Sequence, residues 1–151
     1  MVNYLASIGS PCNVPDSRGC SPFWYAAANA RCNILRKLEL KDIYLDRADE
    51  DGFTPLAIAA HKGHSDAVKY LLKLNRTYPL PVVIVRALTK SGCTPLFLAA
   101  SAGHKRCVNL LLEEGREVLG VPHIHQILRM LQRNHDYEIY ELFRSRGLTT
   151  T

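Results

Sequence analysis

The strongest constraint on this 151-residue chain is that it repeats itself. The segment Asp51–His64 is echoed by Ser91–His104, and each is followed by an apolar run, Ala67–Leu72 and Cys107–Leu112. A weaker copy, Gly19-Cys20-Ser21-Pro22-Phe23-Trp24-Tyr25-Ala26-Ala27, leads into Ile34, Leu35 and Leu38. Gly19 and Gly52 are 33 residues apart; Gly52 and Gly92 are 40 apart. Self-similarity at such a period marks stacked supersecondary units, none of which can bury its apolar face alone.

Local chemistry makes each unit a pair of helices. Thr54 and Thr94 can cap a helix through the hydroxyl, and Pro55 and Pro95 suit a first turn, where no backbone donor is needed. Ser21-Pro22 serves the same purpose in the weaker copy. The paired alanines (Ala26/Ala27, Ala59/Ala60, Ala99/Ala100) let a neighbouring helix come close. Gly63 and Gly103 can end the first helix in a left-handed conformation. Ala67, Val68, Leu71 and Leu72 then recur at a helical period. Gly115 is expected to end one second helix, and Asn75 to take that slot in the preceding unit.

These residues resemble the ankyrin-repeat family. Its T-P-L-H-x-A motif reads Thr54-Pro55-Leu56-Ala57-Ile58-Ala59 and Thr94-Pro95-Leu96-Phe97-Leu98-Ala99, each with a downstream Gly-His; Ser21 to Ala26 is a divergent third. The resemblance implies an all-α solenoid of stacked helix-turn-helix units with short hairpin fingers. The motif's histidine, which ties repeats together by hydrogen bonds, is replaced by Trp24, Ala57 and Phe97. Apolar packing is therefore expected to substitute for it, with Trp24 facing the neighbouring repeat.

The resemblance divides the chain into a single domain, 1–151. Residues 1–15 form the second half of a truncated repeat, either because the chain starts part-way through a unit or because that half is a small cap. Divergent repeat 16–48 follows, then 49–88 with an extended finger at 76–88, then 89–120. A degenerate capping repeat, 121–147, closes the stack, with helices expected over Pro122–Gln132 and Asp136–Ser145 and Asn134-His135 in the place of Gly-His. The apolar run Val82–Val85 in the extended finger packs either on the body or on a partner.

Composition sets outer limits. Hydrophobic residues make up 47% and charged residues 22%, which is ordinary for a globular chain. No apolar run approaches the roughly 18 residues of a membrane span, and the N-terminus carries no secretory signal pattern. Five cysteines without a C-x-x-C pair argue for free thiols rather than a disulfide framework or zinc site. His123 and His125, two apart, do not face each other on a helix. Neither catalysis nor any metal or cofactor is expected. The net charge of +5 suits an acidic partner. Arg31, Arg36, Lys37 and Lys41 cluster on one second helix and Lys105 and Arg106 open another, but Glu39, Asp42, Glu113 and Glu114 interrupt them. A solvated outer face is therefore preferred to nucleic-acid binding.

The resemblance implies a protein–protein interaction module that binds through a concave face of finger tips and first helices. The candidate tip residues are Arg18, Cys20, Glu50, Asp51, Phe53, Lys90, Ser91 and Cys93, with Ser17 beside them. The candidate first-helix residues are Asn29, His61, Lys62 and Ser101, with Ala28 and Ala102. Phe53 is the leading candidate, as an aromatic at a tip. The alternative is a targeting or substrate-recruiting domain of a larger enzyme, or of a secreted microbial effector, whose catalytic part lies outside this chain. A monomeric domain in the cytoplasm or nucleus is expected, or in the host-cell interior for an effector.

Overall fold

The structure is a computed structural model that describes residues 14–39, 45–77, 87–114 and 124–148. It contains α1 (Pro22–Ala28), α2 (Cys32–Glu39), α3 (Pro55–Lys62), α4 (Ser65–Thr77), α5 (Pro95–Ser101), α6 (Lys105–Glu114), α7 (Ile124–Arg133) and α8 (Tyr137–Ser145), with no strand among the described residues.

The first helix of each pair starts where its cap dictates. Ser21 Oγ accepts the Trp24 amide at 3.1 Å, Thr54 Oγ1 that of Ala57 at 3.1 Å, and Thr94 Oγ1 that of Phe97 at 3.2 Å. A proline follows each cap, at the position that has no donor to satisfy. Asp136 caps α8 in the last pair by accepting from Ile139.

The helices lie in two layers. α1, α3, α5 and α7 pack side by side in one layer, and α2, α4, α6 and α8 in the other. Between them runs a continuous core that includes Phe23, Leu35, Leu56, Leu71, Leu111 and Phe143, all fully buried. The alanine pairs sit where adjacent first helices touch and are all but inaccessible. A side chain larger than alanine there would push the first helices apart.

Three fingers precede the first three helix pairs, and all use one device. The Asp16 amide donates to Cys20 O at 3.0 Å and Gly19 N–H to Asp16 O at 3.0 Å, while Asp16 Oδ1 accepts from the Arg18 and Cys20 amides. Asp49 repeats this with Asp51 and Phe53. Thr89 replaces the aspartate in the third finger, its hydroxyl accepting from Cys93 at 3.1 Å. Neighbouring fingers join through backbone: Glu50 N–H donates to Arg18 O at 2.8 Å and Lys90 N–H to Asp51 O at 2.9 Å.

A second set of stitches lies at the far ends of the first helices. His64 Nε2 bonds Ala28 O at 3.0 Å and His104 Nε2 bonds His61 O at 3.0 Å, each reaching back to the preceding pair. Gly63 makes room for the second. Its φ is +78°, and a Cβ there would fall 2.5 Å from the His104 ring. Gly103 has the same φ but open space around it, with no atom nearer than 4.0 Å.

The structure departs from the sequence reading in several places. α4 runs through Asn75, Arg76 and Thr77, so Asn75 is no left-handed terminus and the first two residues assigned to the extended finger are helical. In the last pair the register is one residue later than expected. His135 takes the left-handed position of Gly63 and Gly103 at φ 56°, and Asp136, the following residue, takes that of His64 and His104. In the first pair Ala30 fills the left-handed position at φ 55°. α7, described from Ile124, ends at Arg133, one residue past the expected Gln132, and the expected first residue Pro122 lies outside the described residues. Residues 1–13 of the half repeat, Lys41 and Asp42, Val82–Val85, Gly115 and His123 lie outside the described residues.

The two glycines provide a controlled comparison. Gly103→Ala is expected to cost about 1 kcal/mol, from left-handed strain alone. Gly63→Ala is expected to cost about 2 kcal/mol, because the His104 ring must also leave His61 O. Denaturant melts of the two variants measure the difference.

Candidate functional site

The tips and the exposed ends of the first helices are positioned by the joined fingers. Of the tip candidates, Arg18, Glu50, Asp51, Lys90 and Ser91 are exposed as expected. Arg18 and Glu50 face each other at 3.9 Å, with both side chains more than half exposed, so the pair contributes little to stability. Ser91 Oγ stays within its own finger, 2.9 Å from Thr89 Oγ1. Asp51 and Lys90 have no side-chain partner among the described residues.

Two candidates are corrected outright. Cys20 is 2% exposed, and Ala28 likewise 2%. Each is packed into a small second core with Trp24 and Ile58, under the first two fingers. The finger backbone turns inward at its last residue, so Cys20 faces the helices rather than a partner. Phe53 and Cys93, at the same position of the next fingers, are half-buried. Phe53 packs on the second core and meets the His61 ring edge-on, with centroids 5.9 Å apart. It is a wall of the surface rather than a free tip.

Trp24 turns toward the neighbouring repeat, but not by apolar packing alone. Its indole Nε1–H donates to Phe53 O at 2.8 Å. The hydrogen bond expected to vanish with the motif histidine is thus supplied by tryptophan, at the first junction. Ala57, fully buried, has no side-chain donor to do so at the second.

Among the first-helix candidates, His61, Lys62, Asn29 and Ser101 are exposed, as is Ala102. Two are occupied locally: Asn29 Nδ2 donates to Tyr25 O at 2.8 Å and Ser101 Oγ to Leu98 O at 3.0 Å. Lys62 has no partner among the described residues.

Sequence reasoning missed Tyr25. It is half-buried, stacks edge-on to Trp24 with centroids 5.3 Å apart, and its hydroxyl donates to Asp16 Oδ2. The signal was present, since Tyr25 stands where the later copies have Ile58 and Leu98. That hydrogen bond holds the Asp16 carboxyl below the usual range, and it pushes the Tyr25 phenol up to about 12. Tyr25 and Phe53 thus flank the second core as partly exposed aromatics, with His61 edge-on to Phe53, and the side chains of Asp51, Lys62 and Lys90 are exposed and unengaged among the described residues.

Nothing in the described residues assembles a reactive centre. Burial pushes the Cys107 thiol up to about 11 and raises those of Cys20 and Cys32, away from the thiolate that nucleophilic chemistry requires. No three metal-ligating side chains cluster among the described residues. No described helix is long and apolar enough to cross a membrane.

Two measurements check this geometry. Trp24→Phe keeps the ring but loses the bond to Phe53 O, and is expected to lower unfolding stability by about 1 kcal/mol. The raised phenol pKa means that the folded protein holds this proton more tightly. Its stabilisation is present below the ordinary phenol value of 10.0 and is lost as pH rises through about 12. In a titration of phenolate absorbance, taken as the difference from Tyr25→Phe, Asp16→Asn should move the midpoint back toward 10.0.

The comparisons with known proteins agree with the repeat geometry. A family model described as ankyrin repeats (3 copies) matches residues 38–120, more than half of the chain. No curated protein matches the sequence. The two-layer stack of capped helix pairs and the matched residues place the chain in the ankyrin-repeat family, whose repeats are in general protein–protein interaction modules.

Proposed function

We propose that this domain recruits a partner protein through the ledge formed by its finger tips and the exposed ends of α1, α3 and α5. The observation that carries this reading is a contrast in employment. Cys20, Trp24, Thr54 and the alanine pairs are buried and hold the fold, whereas the side chains of Asp51, Lys62 and Lys90 are exposed and engage no partner among the described residues. Beside them the half-buried Tyr25 and Phe53 and the exposed His61 offer aromatic area already fixed by packing and hydrogen bonds. Aromatic residues with little rotamer freedom left to lose suit the centre of an interface, and a preformed ledge adds no ordering cost.

The surface carries both signs, with Asp51 on the second finger and Lys90 on the third. A partner with charges in the reverse order would be held in one register. A recruiting domain of a larger enzyme would use the same ledge.

The test follows from which residues are idle. Asp51→Lys, Lys62→Glu and Lys90→Glu, combined in one chain, are expected to leave the melting temperature within about 2 °C and to weaken capture of the partner at least about tenfold. Phe53→Ala cannot make this separation. It is expected to destabilise the fold by about 1–2 kcal/mol as well, because Phe53 covers the second core. Unimpaired capture by the folded triple variant, in a titration with the purified partner, would move the site elsewhere.

A further inference from the structure

The outer face, made by the second helices, has a character of its own. Arg36 and Lys37 on α2, Lys69 and Lys73 on α4, and Lys105 and Arg106 on α6 are all exposed. Two of the carboxylates that interrupt them in the sequence, Glu39 and Glu113, are engaged by neighbouring side chains. Glu39 is half-buried and accepts the Tyr70 hydroxyl across the α2–α4 junction. Glu113 accepts from Asn109 at 2.9 Å on its own helix and lies 3.6 Å from Arg146, whose guanidinium offsets its charge. Lys37, Lys69, Lys73 and Arg106 have no ion-pair partner among the described residues. The described second helices thus present a row of exposed cations, four of them without an ion-pair partner among the described residues.

Within that face lies a groove of about 430 Å³ where α4, α6 and α8 meet. Leu110 and Leu142, each partly buried against the main core, supply its apolar lining; Lys69, Lys105 and Arg106 supply its cations. Asp66 is the carboxylate that lines it among the described residues. Lys105 is shared with Glu138 at 3.3 Å, which leaves Lys69 and Arg106 unneutralised.

We propose that this outer face is a second binding surface, which takes an acidic polypeptide segment and seats one of its aliphatic side chains on Leu110 and Leu142. Three observations choose this occupant over other polyanions. An apolar lining ringed by cations matches a chain that alternates carboxylates with an aliphatic group, and nucleic acid offers no such group. Tyr70, the aromatic of these helices nearest the cations, presents no free ring for a base to stack on. It is half-buried, with Arg36 lying 6.0 Å over its face and its hydroxyl bonded to Glu39. Among the described residues of α2, α4, α6 and α8, Tyr137 alone exposes a large hydrophobic side chain; its hydroxyl lies 3.0 Å from His135 Nδ1, it does not line the groove, and one such ring makes no bilayer anchor.

The two faces lie on opposite layers, so an acidic segment on the second helices leaves the tips free. One domain could then hold two partners, or hold one partner at two points with the gain in effective concentration that linkage brings.

The probe is a fluorescein-labelled peptide of aspartate and glutamate with one central leucine, titrated against the whole chain by anisotropy. Its affinity is expected to fall as salt rises. Lys69→Glu with Arg106→Glu should weaken it at least about tenfold, and the milder Lys69→Gln with Arg106→Gln by less. Exchanging the peptide's leucine for serine should weaken it about fivefold or more. Thermal melts confirm that both double variants are folded. Unchanged affinity for Lys69→Glu with Arg106→Glu, or no effect of the leucine, overturns the proposal. So does equally tight binding of a DNA duplex or of phosphatidylserine vesicles, which would make the face a general polyanion surface. The Asp51→Lys, Lys62→Glu, Lys90→Glu chain should bind the peptide normally; loss of binding there would assign the peptide to the tip ledge instead.

Discussion

α3 cannot be dry by itself. Leu56, Ala59 and Ala60 are shut off from water because α1 lies against one side of the helix, α5 against the other and α4 beneath. Burial of a leucine contributes about 2–3 kcal/mol, while a net hydrogen bond contributes about 1 kcal/mol. The apolar contact between neighbouring pairs therefore supplies the stability. The smaller terms decide where each pair sits relative to the last. Two histidine bonds and two finger-to-finger amide bonds fix that register, and Gly63 exists in its left-handed form so that His104 can reach back across it.

Register has a functional consequence. Because Glu50 is tied to Arg18 and Lys90 to Asp51 through backbone, the side chains of three successive fingers are presented as one row at fixed spacing. The tip side chains do not take part in those bonds, so their identity can change without cost to the fold. The two layers divide their chemistry in the same way. First helices and fingers present mixed charge around an aromatic group, and second helices present positive charge around a groove. Glu113 is offset by Arg146 and Glu39 is drawn onto the Tyr70 hydroxyl, while Lys69 and Arg106 stay unpaired beside the groove.

Much of this was legible in the sequence because repetition makes local chemistry visible. Thr-Pro and Ser-Pro announced helix starts, Gly-His announced the turn between paired helices, and the alanine pairs announced close approach. The finger device is legible too, as Asp16-x-x-Gly19, Asp49-x-x-Gly52 and Thr89-x-x-Gly92. What failed were properties that depend on direction. Cys20 and Arg18 are two residues apart in one finger, yet only the structure shows that the chain has turned inward between them. Trp24 reads as apolar until its indole N–H is seen against Phe53 O. Glu39 on the outer face reads as an interruption until its partner Tyr70 on a neighbouring helix is known. In the last pair, which lacks the glycine, His135 accepts the left-handed conformation itself, and the register slipped by one residue.

The claim on which the rest depends is that the fingers are joined into one rigid ledge by backbone bonds between repeats. Amide hydrogen exchange of Lys90 and its neighbour Ser91 tests it most directly. Both residues are exposed at the same tip, but the Lys90 N–H donates to Asp51 O at 2.9 Å, and that of Ser91 donates to nothing among the described residues. Exchange at Lys90 as slow as in the buried helices, opening only with cooperative unfolding of the stack, with fast exchange at Ser91, is the predicted result. Equally fast exchange at both positions would mean that the fingers move independently, and would contradict the account.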